Sequence, residues 1–232
     1  MAPAGIDLVV FDCDGVLVDS EVLACRAVVD TLAAFGHTVG TESIAERFTG
    51  VSNKDMYAAL AADIGGPLPE EFDAAMKRRA LDLFERELAA ITGLATVLPR
   101  LAVAKCVASS SLPDDIAWKL QRTDLLRWFP PTAIFSTALV ARGKPAPDIF
   151  LYAAEKMGVS PGRSIAIEDS VPGITAAKAA GMATFGFAGG SHCGTGHPAQ
   201  LKAAGADVVF AEMQELPDLI AARDPSVSGR RP

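Results

Sequence analysis

The chain has 232 residues, half of them hydrophobic, with 28 acidic against 21 basic side chains and a formal net charge of −7 at pH 7. That length suits one domain, or a core carrying a smaller insert, and that apolar content can build a sizeable interior. The acidic balance argues against a nucleic-acid or anionic-membrane partner, and no apolar run reaches the roughly 20 residues a membrane helix needs. In chain order, short β-branched runs predict strands over residues 6–12, 106–110, 133–137, 164–169, 183–188 and 207–210. Several are apolar on both faces, as in IDLVVF and CVASS, the mark of strands covered by helices on either side. Helical periodicity appears over 147–157 and 174–180, the latter closed by Gly181. One strand per helix implies a doubly wound, parallel α/β sheet with right-handed crossovers.

Residues 19–91 break this rhythm. They contain helix patterns over 21–35, 41–48, 54–63 and 70–90 and no convincing strand. A plain crossover needs far fewer residues, so the expected organisation is a core of 1–18 and 92–224 with an α-helical insert of 19–91. Hinges are expected near 16–20 and 88–93. The polar tail, 225–232, is expected to be disordered. Cys13, Cys25, Cys106 and Cys193 form no CxxC pair and read as free thiols of a reducing compartment. The N-terminal MAPAGIDLVVFDCDG turns acidic too early for a secretory signal, so the expected location is the cytoplasm. A monomer is the default expectation.

In an open parallel sheet, ligands sit beyond the carboxyl ends of the strands. The first strand ends in Asp12, Cys13, Asp14 and Gly15, the second in Ser109, Ser110 and Ser111, and the fourth in Glu168, Asp169 and Ser170; a Gly143–Lys144–Pro145 turn follows the third. Asp12, Asp14 and Asp169, with Glu168 beside them, repel one another when crowded, and a hard divalent cation resolves the repulsion. Mg²⁺ takes oxygen ligands and binds through one or two carboxylates plus substrate phosphate. A lysine and a hydroxyl facing the same cation suit the remaining phosphoryl oxygens. The competing reading makes Asp12 and Asp14 solvated loop residues near a helix start, but four matching strand ends argue against it.

The segments DCDGVLVDS, VASSS, GKPAPDIF and IEDS resemble, in order and spacing, the four signatures of the haloacid dehalogenase superfamily. The helical insert resembles the cap of the branch that holds β-phosphoglucomutase and many small-metabolite phosphatases. The resemblance implies Asp12 as nucleophile, Asp14 as general acid then base, Ser109 as a phosphoryl hydrogen-bond partner, and Lys144 as the cation beside the phosphoryl group. It implies Mg²⁺ held by Asp12, the Asp14 carbonyl and Asp169, with Glu168 acting through water. Because Asp14 is present, dehalogenation is not expected. Ser110 and Ser111 read as turn residues, Ser110 remaining a candidate substrate contact beside Ser109. The Cys13 side chain is expected to point away from the site.

Within the insert, Phe48-Thr49-Gly50-Val51-Ser52-Asn53-Lys54 resembles the substrate loop of β-phosphoglucomutases, which carry Lys and Arg where this chain has Thr49 and Asn53. A mutase must grip a second phosphate with fixed positive charge. The expectation is therefore a phosphatase of a small phosphorylated metabolite, a sugar or polyol phosphate, with Gly50, Val51, Ser52 and Asn53 toward its leaving group. A mutase is the alternative, and a non-catalytic binding protein would need a disabled centre. Lys54 or the cluster Lys77, Arg78 and Arg79 could substitute for the missing cations, though the cluster reads first as an exposed helix face. The stretch 188–198 (AGGSHCGTGHP) reads as a surface loop without chemistry, with a flexible lip on the catalytic crevice as the alternative, and His192, Cys193 and His197 lack a fourth ligand in sequence for a zinc site.

Overall fold

The structure, a computed structural model, describes residues 5–48, 51 and 53–223. Six parallel strands, β1 (Leu8–Phe11), β2 (Ala104–Ser109), β3 (Ile134–Ser136), β4 (Ser164–Glu168), β5 (Ala183–Phe187) and β6 (Val208–Phe210), form one sheet in the order β3-β2-β1-β4-β5-β6. Each lies within the range its hydrophobic run predicts or within two residues of it. The chain winds outward from β1 in one direction through β2 and β3, then in the other from β4 through β6. That reversal puts a crevice between the carboxyl ends of β1 and β4.

The all-apolar strands are buried on both faces. Val9 and Phe11 of β1 join Val107, Ile165 and Ile167 in one cluster, while Leu8 and Val10 join Cys106, Ala108 and Ala166 in the other. The first face is large: Phe11 meets Phe129 edge-on at 6.0 Å, and α5 (Leu94–Val97), α6 (Pro113–Arg122) and α10 (Leu216–Arg223) cover it. The second face is small, so α7 (Asp148–Met157) and α8 (Val171–Ala179) come close through Ala153, Ala154, Ala176 and Ala177. A further helix, α9 (His197–Ala203), packs Leu201 against Ile174 of α8. Each fully buried Leu, Ile or Phe contributes about 1.5–3 kcal/mol of transfer free energy.

Between β1 and β2 come α1 (Glu21–Ala34), α2 (Thr41–Phe48), α3 (Asn53–Asp63) and α4 (Phe72–Glu87), a helical unit with its own core. Phe72 sits at its centre, edge-on to Tyr57 at 5.6 Å and surrounded by Val28, Leu32, Ile44, Met56, Leu60 and Met76. The two connections to the sheet domain run side by side: Asp19 N–H donates to the Ala89 carbonyl, and Ile91 N–H donates to the Leu17 carbonyl, both at 3.0 Å. This pairing explains why α4 stops at Glu87 rather than near residue 90. Leu88 turns extended to enter the ribbon. α8 starts at Val171, three residues before its apolar pattern, because Ser170 accepts from the Gly173 N–H and Pro172 occupies the first turn, where no N–H is needed. No described helix is long and apolar enough to cross a membrane. The tail at 225–232 lies outside the described residues.

Candidate active site

Asp12 directly follows β1, and its N–H continues the ladder by donating to the Ile167 carbonyl at 3.0 Å. The carboxylate is nearly buried, with Oδ1 3.0 Å from Lys144 Nζ but without a well-directed hydrogen bond among the described residues. Burial pushes its pKa up to about 7; the Glu168 and Asp14 charges add to the rise, and Lys144 opposes it. Lys144 Nζ also donates to the Ala108 carbonyl at 3.0 Å and to Glu168 Oε1 at 2.5 Å. Burial alone would lower the lysine pKa, but Asp12 and Glu168 outweigh it and hold the ammonium charged.

Glu168, fully buried, ends β4 and takes a second donor, Ser170 Oγ, at 3.1 Å. Gly173 makes this possible: a Cβ there would lie 1.9 Å from Glu168 Oε2. Next to it Asp169 is 2% exposed, and its pKa is pushed well up, first by burial and then by the Asp12 charge. Asp12, Glu168 and Asp169 each offer an oxygen, all within 4.8 Å of one another. An all-oxygen set of mutually repelling carboxylates fits a hard divalent cation such as Mg²⁺ and suits no soft metal. Asp14 stands outside that group.

The Asp14 side chain turns the other way. Its Oδ1 accepts from Lys119 Nζ at 2.5 Å and from Ser20 Oγ at 2.6 Å, and its Oδ2 accepts from Ser111 Oγ at 2.7 Å. Burial works to raise its pKa, but Lys119 and the two hydroxyls prevail and hold it below the ordinary value. In this arrangement Asp14 is an ionised acceptor. The Ser109 side chain is buried at the end of β2, where Oγ accepts the Ser111 N–H at 3.1 Å. Ser110 faces the crevice beside it. Cys13 points into the large-side core with a strongly raised thiol pKa, away from the crevice as expected.

These groups open into a cavity of about 670 Å³ between the sheet and the helical insert. Ser20, Glu21, Ala24, Val51, Lys77 and Phe84 supply the insert's side of the wall. Of the four expected loop contacts, Val51 therefore lines the cavity. Gly50 and Ser52 lie outside the described residues, and Asn53 opens α3 with its side chain outside them. Lys77 is no plain surface residue: it reaches the cavity while pairing with Asp73 at 2.8 Å. Arg78 and Arg79 line a separate depression near Thr31.

Three groups escaped the sequence reading. Lys119 lies on the buried stripe of α6 between Ile116 and Leu120, and a cation on an apolar stripe is the signal that could have found it. Ser111, read as a turn residue, holds Asp14. The third correction concerns 188–198. The loop itself is at the surface, but the His192 side chain turns inward and is fully buried, and its Nε2 lies 3.0 Å from Asp169 Oδ2. His197 Nε2 lies 2.6 Å from the Asp169 carbonyl oxygen. Together with Cys193 the two rings form a tight group, but both Nε2 atoms already face Asp169.

The haloacid dehalogenase-like hydrolase pattern matches residues 6–181. The chain belongs to the haloacid dehalogenase-like hydrolases. Among these hydrolases, the 6-phosphogluconate phosphatase of Escherichia coli (strain K12) is 32% identical over 220 residues, covering 94% of this chain and 96% of its own. The β-phosphoglucomutase of Bacillus subtilis (strain 168) is 28% identical over 223 residues, 90% of each chain. A crystal structure of a conserved haloacid dehalogenase-like protein of unknown function from Agrobacterium tumefaciens str. C58 superposes with a TM-score of 0.87 at 39% identity, covering 94% of this chain and 99% of that one. Within the family the chain stands in the branch of phosphatases and phosphoglucomutases, as a phosphoric monoester hydrolase.

Proposed function

We propose that this hydrolase is a Mg²⁺-dependent phosphatase that releases inorganic phosphate from a small phosphorylated sugar, sugar acid or polyol through an aspartyl-phosphate on Asp12. The observation that carries the reading is the buried group of Asp12, Lys144, Glu168 and Asp169 at the β1/β4 crevice. Residues 1–18 and 92–224 form the catalytic core and 19–91 the cap. Asp12 and Asp169, with the Asp14 carbonyl and with Glu168 behind them, would hold Mg²⁺, which supplies charge neutralisation at the phosphoryl oxygens.

In the first step Asp12 attacks phosphorus: its oxygen bonds to phosphorus as the bond to the leaving oxygen breaks. Lys144 and Ser109 stabilise charge on the phosphoryl oxygens, with Ser110 at the rim. Asp14 protonates the leaving oxygen, then takes a proton from the water that cleaves the aspartyl-phosphate. With Lys119 beside it Asp14 carries no proton to give. Its acid role therefore requires the Lys119–Asp14 pair to part when substrate binds. Val51 and Lys77 line the wall that would face the leaving group and select it, and Gly50, Ser52 and Asn53 join them as selecting residues on the sequence alone.

The mutase reading is favoured by the 28% identity to the Bacillus enzyme over 90% of the chain. It requires cationic grip on a second phosphate, and the chain has Thr49 and Asn53 where those enzymes carry cations. A panel of phosphorylated sugars, sugar acids including 6-phosphogluconate, and polyols, assayed with and without Mg²⁺ for free phosphate and for isomerised product, tests the choice. Phosphate release that requires the metal supports the proposal; efficient isomerisation of β-glucose 1-phosphate overturns it.

A further inference from the structure

We infer that His192 is a positioning residue for the metal carboxylate Asp169, delivered by a strap that also ties down the cap connection; this rests on the cation reading above. The segment after β5 crosses the crevice edge and makes two anchored contacts. Ser191 bonds Asp19, its N–H donating to Oδ1 at 3.0 Å and its hydroxyl to Oδ2. Asp19 is itself in the paired connections, through the Ala89 carbonyl. One residue on, the imidazole of His192 enters the interior.

Several observations converge on one role for that ring. The His192 side chain is fully buried. Its Nδ1 has no partner among the described residues, whereas Nε2 faces Asp169 Oδ2 at 3.0 Å with Cys193 Sγ 3.4 Å away; we place the ring N–H on Nε2, where it donates to Asp169 Oδ2. One oxygen of Asp169 is thereby fixed and the other remains for a cation. Gly15 is the floor under this pair: a Cβ there would meet Asp169 Oδ2 at 1.9 Å and the His192 ring at 2.9 Å, and φ is +75°. His197 holds the same residue from its main-chain carbonyl. Carboxylates that ligate metals are oriented by such outer hydrogen bonds, whose loss costs about 10–100-fold in metal affinity. A ring held between the nucleophile turn and a metal carboxylate therefore acts on the cation without touching substrate.

The test compares His192→Leu, similar in bulk but without a donor, with His192→Gln, which keeps one. Mn²⁺ binding is followed by electron paramagnetic resonance, and thermal melting is recorded without metal. The expected result is Mn²⁺ affinity weakened about 10–100-fold in His192→Leu and largely recovered in His192→Gln, with the two variants melting together. Where His192→Leu fails to fold, His192→Asn, whose donor is too short to reach Asp169, replaces it with the same expectation. Equal affinity in wild type and the donor-less variant overturns the inference. A wild type that binds no Mn²⁺ removes the cation reading itself, a result separate from any effect of His192.

Discussion

The carboxyl ends of the strands and the helical insert carry charge in opposite ways. At the strand ends Lys144 is 5% exposed, Glu168 is fully buried, and the Lys119–Asp14 pair is nearly so. Such groups are tolerable only together, because a buried charge stripped of its partner is left uncompensated. In the insert, Arg26–Glu87, Arg47–Asp63, Lys77–Asp73, Arg79–Asp30 and Arg86–Asp82 all leave their side chains 40% exposed or more. Exposed pairs of this kind are screened by solvent and contribute little, so the insert can exchange them at little cost. One region is bound by mutual dependence and the other is free to vary, which suits a fixed chemistry joined to an adjustable selection.

The sharpest break of that contrast is Asp12→Asn. It is expected to lower phosphate release by on the order of 10³-fold or more, as loss of a nucleophile does, with circular dichroism unchanged. Asp14→Asn follows, costing about 10²–10⁴-fold with alkyl phosphates and less with p-nitrophenyl phosphate, whose leaving group needs no proton; equal losses on both would remove the acid role.

Lys119→Met probes the dependence itself. It strands Asp14 in the interior, and denaturant unfolding should show a loss of about 3–5 kcal/mol. The sign with pH follows from the lowered Asp14 pKa: the pair's contribution is present above the ordinary carboxylate pKa of 3.8 and fades as pH falls through the depressed folded value. The stability difference between wild type and Lys119→Met should therefore shrink in acid. Lys77→Ala is the smallest of the set, changing KM for the preferred metabolite by less than about tenfold and leaving turnover of p-nitrophenyl phosphate near wild type. A large loss on both substrates would place Lys77 with the strand-end charges instead.

The same contrast decides what was legible in the sequence. Asp12, Ser109, Lys144, Glu168 and Asp169 end or follow short apolar strands or their turns, and a parallel sheet sends all such ends to one edge, so strand assignment alone gathers them. Lys119 meets Asp14 across a separation of 105 residues and arrives on a helix face, a meeting that no spacing announces. His192 comes from a glycine-rich stretch whose composition is that of any surface loop, and only the fold shows that the loop turns inward onto Asp169. For Gly50, Ser52 and Asn53 the sequence remains the sole guide to substrate contact. Helix ends shifted where backbone pairing, as at Leu88, or a cap, as at Ser170, overrode the apolar period.

The most direct test of the account is to stop turnover of a good substrate by rapid acid quench, reduce the trapped acyl phosphate with borohydride, and sequence the peptide spanning residues 6–20 by mass spectrometry. The account predicts homoserine at position 12 and aspartate unchanged at position 14. Reduction at Asp14, or turnover that leaves Asp12 unmodified at every quench time, would contradict it.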